Sequence, residues 1–571
     1  MLESVTNRRP VVELIVASMM LGTEVRRLLA MLGMTSLRRA ARVVPGIVCV
    51  ALGMSLAAIV GCHAAPNEPG TVVVVLESSP NNLDPRQGTD AQSEHVGGLI
   101  FDALVKKDDR YNLAPWLATS WEQPDPLTWV FHLRDGVRFQ DGRPLEAADV
   151  VWTIESLIDP RLAGLISSKS GAFAAVDRAE ARERLTVVVH MKRPDAGLLF
   201  NMSDGLFGVV PQGAGKDFGL HPVGSGPFHF VSQVQDKEVI LERNPGCWSD
   251  QSQGTGNRKQ KTGERIQRLR FMVVPDTITS ALEVQKGSAD VASNVLTPDM
   301  VYALRRSPEP ATESGPGSNV WYLNFNVRDP ALHDQRVRQA VALAIDRPAI
   351  MAALWRGHAR LAQTLLPAGH WAAATDAELA QYPHDPANAA ALLDAAGLPP
   401  DKKGVRLTLT LKISTDETTR LLAAVMQQQM RAAGIALNIR AAEFGTFYAD
   451  VTQGAFQMYV LKWLGSNEDP DIFRYMYSSA SFPPKGANRG HYVNSRVDVL
   501  LAQAAAETGP AQQAQVRRRA EYVEVQKILA DEVPSIPLWF PDNEVVHTRR
   551  VHGVDARGDG NFDFLREASV Q

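Results

Sequence analysis

The chain has 571 residues, 45% hydrophobic and 21% charged, with a formal net charge of −4. That is a folded globular composition, which excludes disorder and fibrous repeats, and the length exceeds one small core, so two or three lobes are expected. The near-neutral balance, with no basic stripe carrying interleaved aromatics, excludes a nucleic-acid-binding class, and three cysteines (Cys49, Cys62, Cys247) are too few for a disulfide framework or a cysteine-rich metal site.

Arg38, Arg39 and Arg42 precede an apolar stretch from Val43 to Val60, the pattern of an export signal. Pro45, Gly46 and Gly53 weaken it as a permanent span, and no cluster of positive charge follows to stop transfer. Ile59-Val60-Gly61-Cys62 resembles a bacterial lipobox. That resemblance implies cleavage before Cys62, lipidation of its thiol and acylation of the new amine, giving the two or more acyl chains that stable anchoring needs. A cleaved, free periplasmic protein and an uncleaved anchor helix are the competing readings. Met31 or Met34 is the expected start, and Pro66 to Gly70 reads as a short tether.

Val72 to Leu76 is a β-branched run expected to form a buried strand, broken by Asn81-Asn82-Leu83-Asp84-Pro85. Trp129, Phe131 and Leu133 alternate with Val130 and His132; Asp135-Gly136 then turns, and Val137 to Phe139 resumes the alternation, which predicts a hairpin. A helix is expected from Glu146 to Ile158, a strand from Leu185 to Met191 and a short one at Val209-Val210-Pro211. Ser249 to Gly263 is polar and reads as a surface loop. Leu269, Phe271 and Val273 mark another strand; Asp276 caps a helix that Gly287 ends. Tyr322 to Asn326 is a strand, Asp334 caps the helix carrying Val337, Val341, Ala344 and Ile345, and Asp346 with Pro348 opens the next. Asp385-Pro386 starts a helix ending at Gly397. Leu407 to Leu411 and Ile435 to Ile439 are strands around a helix from Thr419 to Ala433. Gln526 to Glu532 is helical and Ile536 to Phe540 is a last strand. Strands alternating with helices predict an α/β class.

Several blocks, in chain order, resemble the family 5 extracellular solute-binding proteins, the oligopeptide, dipeptide and nickel receptors of ABC importers. They are Asn82-Leu83-Asp84-Pro85, the run from Pro115 to Trp152, Pro222-Val223-Gly224-Ser225-Gly226-Pro227-Phe228, Glu242-Arg243-Asn244-Pro245, and Val337 to Asp346. The resemblance spans roughly residues 71 to 540. It implies a three-lobed periplasmic-binding-protein-like fold (type II, cluster C) with a hinged ligand cleft. It divides the chain into 1–61 as N-terminal extension and lipoprotein signal peptide, 62–70 as tether, 71–102 with 222–317 and 535–571 as lobe I, 103–221 as lobe II, and 318–534 as lobe III. It also implies a monomer that takes an oligopeptide or similar small ligand, partners a membrane permease, and touches the membrane only through lipidated Cys62.

Catalytic wiring is absent. There is no Gly-x-Ser-x-Gly and no His-Glu-x-x-His, and Gly213-Ala214-Gly215-Lys216 lacks phosphate-loop spacing. Neither an enzyme, a cofactor nor a metal site is expected. A receptor for extended peptides grips main-chain groups through exposed strand edges. Two segments resemble such edges: Gly88-Thr89-Asp90-Ala91, and Trp463-Leu464-Gly465-Ser466-Asn467 with Glu468, Asp469 and Asp471 after it. The resemblance makes Thr89, Asp90, Ala91, Trp463, Leu464, Gly465, Ser466 and Asn467 the ligand-binding candidates, with Trp463 an aromatic wall; a core tryptophan is the competing reading. Peptide-binding members carry an aspartate where Ser466 stands. A hydroxyl is no charge-assisted partner for an ammonium. Either Glu468 or Asp469 takes over, or the ligand lacks a free amino terminus, as in a blocked peptide, an opine, an oligosaccharide or a metal chelate.

Overall fold

The run Thr71–Leu76 is buried at every residue. A strand apolar on both faces must lie inside a sheet covered on both sides, and it does. In the computed structural model it pairs in parallel with Arg268–Val273 on one side and Val291–Ser293 on the other. The structure describes residues 68–571, except 89, 109–110, 168, 253–262, 464–467, 484, 508–510, 557 and 559. The export signal, Cys62, Thr89 and Leu464 to Asn467 therefore lie outside the described residues.

Three larger sheets organise the chain. The first has seven strands in the order Ala311–Gly315, Asn543–His547, Val291–Ser293, Thr71–Leu76, Arg268–Val273, Glu238–Arg243 and Phe228–Val234. The second has four antiparallel strands, Ala118–Asp125, Thr128–Leu133, Thr186–Met191 and Val176–Glu183, and the helix Ala147–Ile158 shares its core. The third has six strands in the order Ala359–Leu361, Ser535–Pro541, Val320–Phe325, Met458–Trp463, Leu407–Ser414 and Ile435–Ala442. Each sheet has its own apolar core, and the first and third have one on each face. No described helix is long and apolar enough to cross a membrane.

Local signals act as expected at most helix ends. Asp276 accepts from the Thr279 N–H at the start of Thr277–Lys286, and Gly287 ends that helix in the left-handed conformation. Asp385 caps Pro386–Ala395 with Pro386 in its first turn. Strands Leu407–Ser414 and Ile435–Ala442 are parallel and flank the helix Glu417–Met430, a complete βαβ unit. At Ala147–Ile158 the Asp149 carboxylate takes the Glu146 N–H at 2.8 Å, so the first turn is closed from within the helix.

Four expectations need correction. Thr128–Leu133 pairs with Ala118–Asp125 and Thr186–Met191, not with 137–139. Val137 and Phe139 alternate because both are buried in the second core; the only ladder contact there is an Arg138–Pro144 bridge. No strand forms at 209–211, because the Val210 N–H goes to the Thr153 hydroxyl and the Val209 N–H to the Asp102 carbonyl. The final helix starts far earlier, spanning Ala511–Glu532, through residues with too few apolar positions to read as a stripe.

The fourth correction concerns Ser535–Pro541, expected in lobe I. It pairs with Val320–Phe325 in the six-stranded sheet, Leu323 opposite Ile536, with Trp539 packed on Trp321 and Trp355. The chain enters the seven-stranded sheet only at Asn543. Residues 316–319 and 541–543 are thus the two crossings between these sheets. They lie against each other: a Cβ at Gly317 would stand 2.4 Å from the Pro541 carbonyl oxygen.

Candidate functional site

A cavity of about 750 Å³ has residues from all three large sheets or their flanking segments in its wall. The helix Ala91–Ile100 presents Ala91, Gln92 and Ser93 to it. In its wall the Lys106 ammonium sits 4.2 Å from the Trp116 ring centroid. Trp321, Trp355 and Lys462 also line it. Trp321 and Lys462 face each other across paired strands, so both side chains emerge on one face, with the ammonium 5.5 Å from the indole centroid. Lys462 interacts electrostatically with Asp416, which also lines the cavity. The Gln92 side chain is 7% exposed, and its amide oxygen has no partner among the described residues. A buried carbonyl without a donor costs free energy until a ligand N–H or a water supplies one.

The expected edge at 88–91 takes a different form. Asp90 is the N-cap of the helix, its carboxylate accepting from the Ser93 N–H at 2.9 Å and the Ser93 hydroxyl at 2.5 Å, and Ala91 is the first helical residue. Aspartate caps well by this mechanism, and that wins over extension. Ala91 lines the cavity. Trp463 does not: strand alternation turns it away from Lys462, opposite Val320. Its ring meets Tyr475 edge-on at 5.9 Å, and the Arg489 guanidinium lies 6.0 Å from its centroid. Ala91 and Trp463 are thus not brought into one cavity. Lys462, Trp321, Trp355 and Gln92 were missed, because each read only as a strand or helix residue; a parity count along the Met458–Trp463 strand would have exposed the choice between 462 and 463.

Both carboxylates expected to take over from an aspartate at 466 are engaged. Glu468 accepts from Lys107 Nζ and Ser318 Oγ, each at 2.7 Å, and is 1% exposed. Asp469 accepts from the Asp471 N–H at 2.6 Å. Burial pushes its carboxyl up to about 7, with Arg518 opposing and Asp471 reinforcing. Beside them His370 donates from Nε2 to the Glu468 carbonyl at 2.9 Å, while its Nδ1 accepts from the Ala372 N–H. Burial lowers it to about 4, so it stays neutral.

These two groups pull stability in opposite directions. Asp469 holds its proton more tightly folded than unfolded, so its contribution is full below pH 3.8 and is lost as pH rises through about 7. His370 holds its proton less tightly, so its contribution is lost as pH falls from 6.5 towards 4. Asp469→Asn is expected to remove the alkaline loss, raising urea stability at pH 8 relative to pH 5 by on the order of a few kcal/mol compared with the unmutated chain. An unchanged difference between the two pH values refutes this.

Among the described residues no group of three His, Cys, Asp or Glu is arranged to hold a metal ion. Residues 112–483, more than half of the chain, match the family described as bacterial extracellular solute-binding proteins, family 5. The chain is 27% identical over 531 residues to "Probable di/tripeptide-binding protein 5" of Pseudomonas aeruginosa, covering 88% of this chain and 97% of that one. It is 27% identical over 533 residues to a glutathione-binding protein of Escherichia coli O1:K1 / APEC, covering 91% and 98%. Among solved structures, NikZ from Campylobacter jejuni in complex with Ni(L-His) superposes with a TM-score of 0.72 at 24% identity, covering 88% of this chain and all of that one. That family is one of binding proteins rather than enzymes. This chain, with its three sheets around a lined cavity, belongs to the bacterial extracellular solute-binding proteins, family 5.

Proposed function

We propose that the chain is the substrate-binding component of an ABC importer, capturing short peptides outside the inner membrane and handing them to a membrane permease. The observation that carries this reading is the cavity of about 750 Å³ walled by parts of separate sheets. That volume falls within the range of small-ligand sites, and aromatic walls with a few placed polar groups are what such sites use. The relatives named for di- and tripeptides and for glutathione, itself a tripeptide, support the same size class. In this reading the three sheets are three lobes: 71–102 with 222–317 and 542–571, then 103–221, then 318–541. Binding closes them by a hinge movement. Native mass spectrometry of the freshly purified protein is the test. A ladder of co-purified short peptides is the expected result; empty protein that also ignores di- and tripeptides in calorimetry refutes the reading.

A second reading, a ligand without a free amino group, is favoured by the engagement of Glu468 and Asp469, which leaves no idle carboxylate next to Trp463 among the described residues. A blocked peptide, an opine, an oligosaccharide or a metal chelate would each satisfy it. Trp463 stands outside that cavity, beside Arg489 and Tyr475, and we propose that it touches ligand there. Trp463→Ala is expected to weaken binding by ~1 kcal/mol or more with the fold intact. Unchanged affinity in calorimetry, or gross unfolding, counts against that role.

Anchoring through Cys62 completes the proposal, supported by Ile59-Val60-Gly61 before it. Cys62→Ser is expected to move the protein from the membrane pellet to the soluble fraction. Continued pelleting after a carbonate wash removes the lipid anchor from the account.

A further inference from the structure

Five arginines among the described residues are buried to below a tenth exposure: Arg86, Arg243, Arg338, Arg347 and Arg489. A guanidinium taken out of water needs compensation, because an uncompensated buried charge costs several kcal/mol. Four of the five have it. Arg86 pairs with Asp84 at 2.7 Å. Arg338 donates to four backbone carbonyls. Arg347 donates to two, and Arg243 to two, with Asp250 at 3.7 Å.

Arg489 differs. It is 7% exposed, and its hydrogen-bond partners among the described residues are two phenols: Tyr448 at 2.9 Å and, weakly, Tyr322 at 3.4 Å. Ring faces supply the rest, the Tyr448 centroid at 5.2 Å and the Trp463 centroid at 6.0 Å. Burial pushes the Tyr322 and Tyr459 phenols up, so they remain neutral and supply no counter-charge. Tyr459 is a third phenol against the guanidinium. Above this floor the rings are open: Tyr448 is 39% and Tyr475 45% exposed. A fork of donors under a rim of exposed aromatic rings matches one chemistry, a planar anion carried on an apolar group.

We propose that Arg489, with Trp463, Tyr448 and Tyr475 around it, forms a carboxylate-binding site for a ligand that carries an aromatic or bulky apolar group beside its carboxylate. The site lies on the opposite face of the Met458–Trp463 strand from Lys462 and is separate from the cavity that Trp321 and Trp355 line. It rests on the binding-protein reading above, and adds a second, carboxylate-selective site outside that cavity.

The test uses the full chain and two probes of equal shape, 3-phenylpropionate and 3-phenylpropionamide, titrated by calorimetry. The expected result is saturable binding of the acid, with the amide weaker by about tenfold or more, since charge-assisted hydrogen bonds contribute about twice what neutral ones do. Arg489→Gln should bring the acid down to the level of the amide. Arg489→Lys, which keeps the charge and loses the fork, should fall between the two. Equal binding of acid and amide, no binding of the acid up to millimolar concentrations, or an unchanged preference for the acid in Arg489→Gln overturns the proposal. If Arg489→Gln does not fold by circular dichroism, Arg489→Lys and the acid-against-amide comparison on the unmutated chain decide it. Peptides bound without this preference refute the carboxylate site alone; a preference for the acid in a chain that binds no peptide refutes the peptide reading alone.

Discussion

Asp102→Ala is expected to lower the stability of the folded chain by ~3–5 kcal/mol, the cost of breaking a buried ion pair from one side. Asp102 is 1% exposed and is the shared acceptor of four donors. Trp116 Nε1 and Trp248 Nε1 each reach it at 2.9 Å, Ser225 Oγ at 2.8 Å and Arg566 Nη1 at 3.3 Å. Those donors come from four separate stretches of chain, before the four-stranded sheet, at the Gly-rich turn, before the polar loop and near the C-terminus. Alanine would leave two indole N–H groups, a hydroxyl and part of a nearly buried guanidinium without their acceptor. Asp102→Asn keeps the volume and one acceptor oxygen, and should cost less than alanine while still leaving Arg566 short of charge. Equilibrium urea unfolding measures both; a loss below about 1 kcal/mol for alanine, the level of an ordinary neutral hydrogen bond, would show that the four donors find other partners.

Gly224→Ala is expected to be comparably damaging. A Cβ there would lie 1.9 Å from the Ile100 carbonyl oxygen and 2.6 Å from its carbon, both backbone atoms with no rotamer to yield. The same carbonyl receives the Gly226 N–H at 2.9 Å and the Gln140 amide at 3.1 Å. Gln140 also donates to the Phe228 carbonyl and accepts from the Gly224 N–H, so the turn is laced to the end of the helix Ala91–Ile100. Adding one carbon must separate these elements and break several bonds together, a cost of ~3 kcal/mol or more on the scale of overpacked sites. Thermal unfolding followed by circular dichroism is the measurement, and a midpoint within about 1 °C of the unmutated chain would refute the close approach.

These two positions show what the sequence made legible. The Gly-rich turn stood out as Pro222 to Phe228, and the reason for its glycines is a backbone approach that only the fold reveals. Helix starts at Asp276, Asp334, Asp346 and Asp385 were legible because a cap is a local event, settled within three residues. The parallel pair Leu407–Ser414 and Ile435–Ala442 was legible because its helix intervenes in sequence. Ser535–Pro541 was legible as a strand but not as a member of the six-stranded sheet, since an apolar run records burial and not its neighbours. At the candidate site the difficulty was one of parity. Lys462 and Trp463 are adjacent, and a strand sends them to opposite faces, so an indole expected at one surface is found at another. Arg489 belonged to no motif; its interest lies in which groups surround it, and those come from strands and helices distant in the chain.

The paired crossings at 316–319 and 541–543 restrict how the third sheet moves against the first. Two tethers side by side, kept close by the bare backbone at 317 and by Arg360 donating to the Gly317 carbonyl at 3.0 Å, act as the pin of a door. In the proposed hinge movement they would oppose sliding and permit rotation. Separate contacts join the third sheet's part of the chain to the segments around the four-stranded sheet: Lys107 on Glu468, the Ala196 N–H on the Ala505 carbonyl, Gln515 on Asn112, and the stacked rings of Tyr111 and His370. Opening by that proposed movement would break these contacts and no sheet pairing, and every core would stay packed.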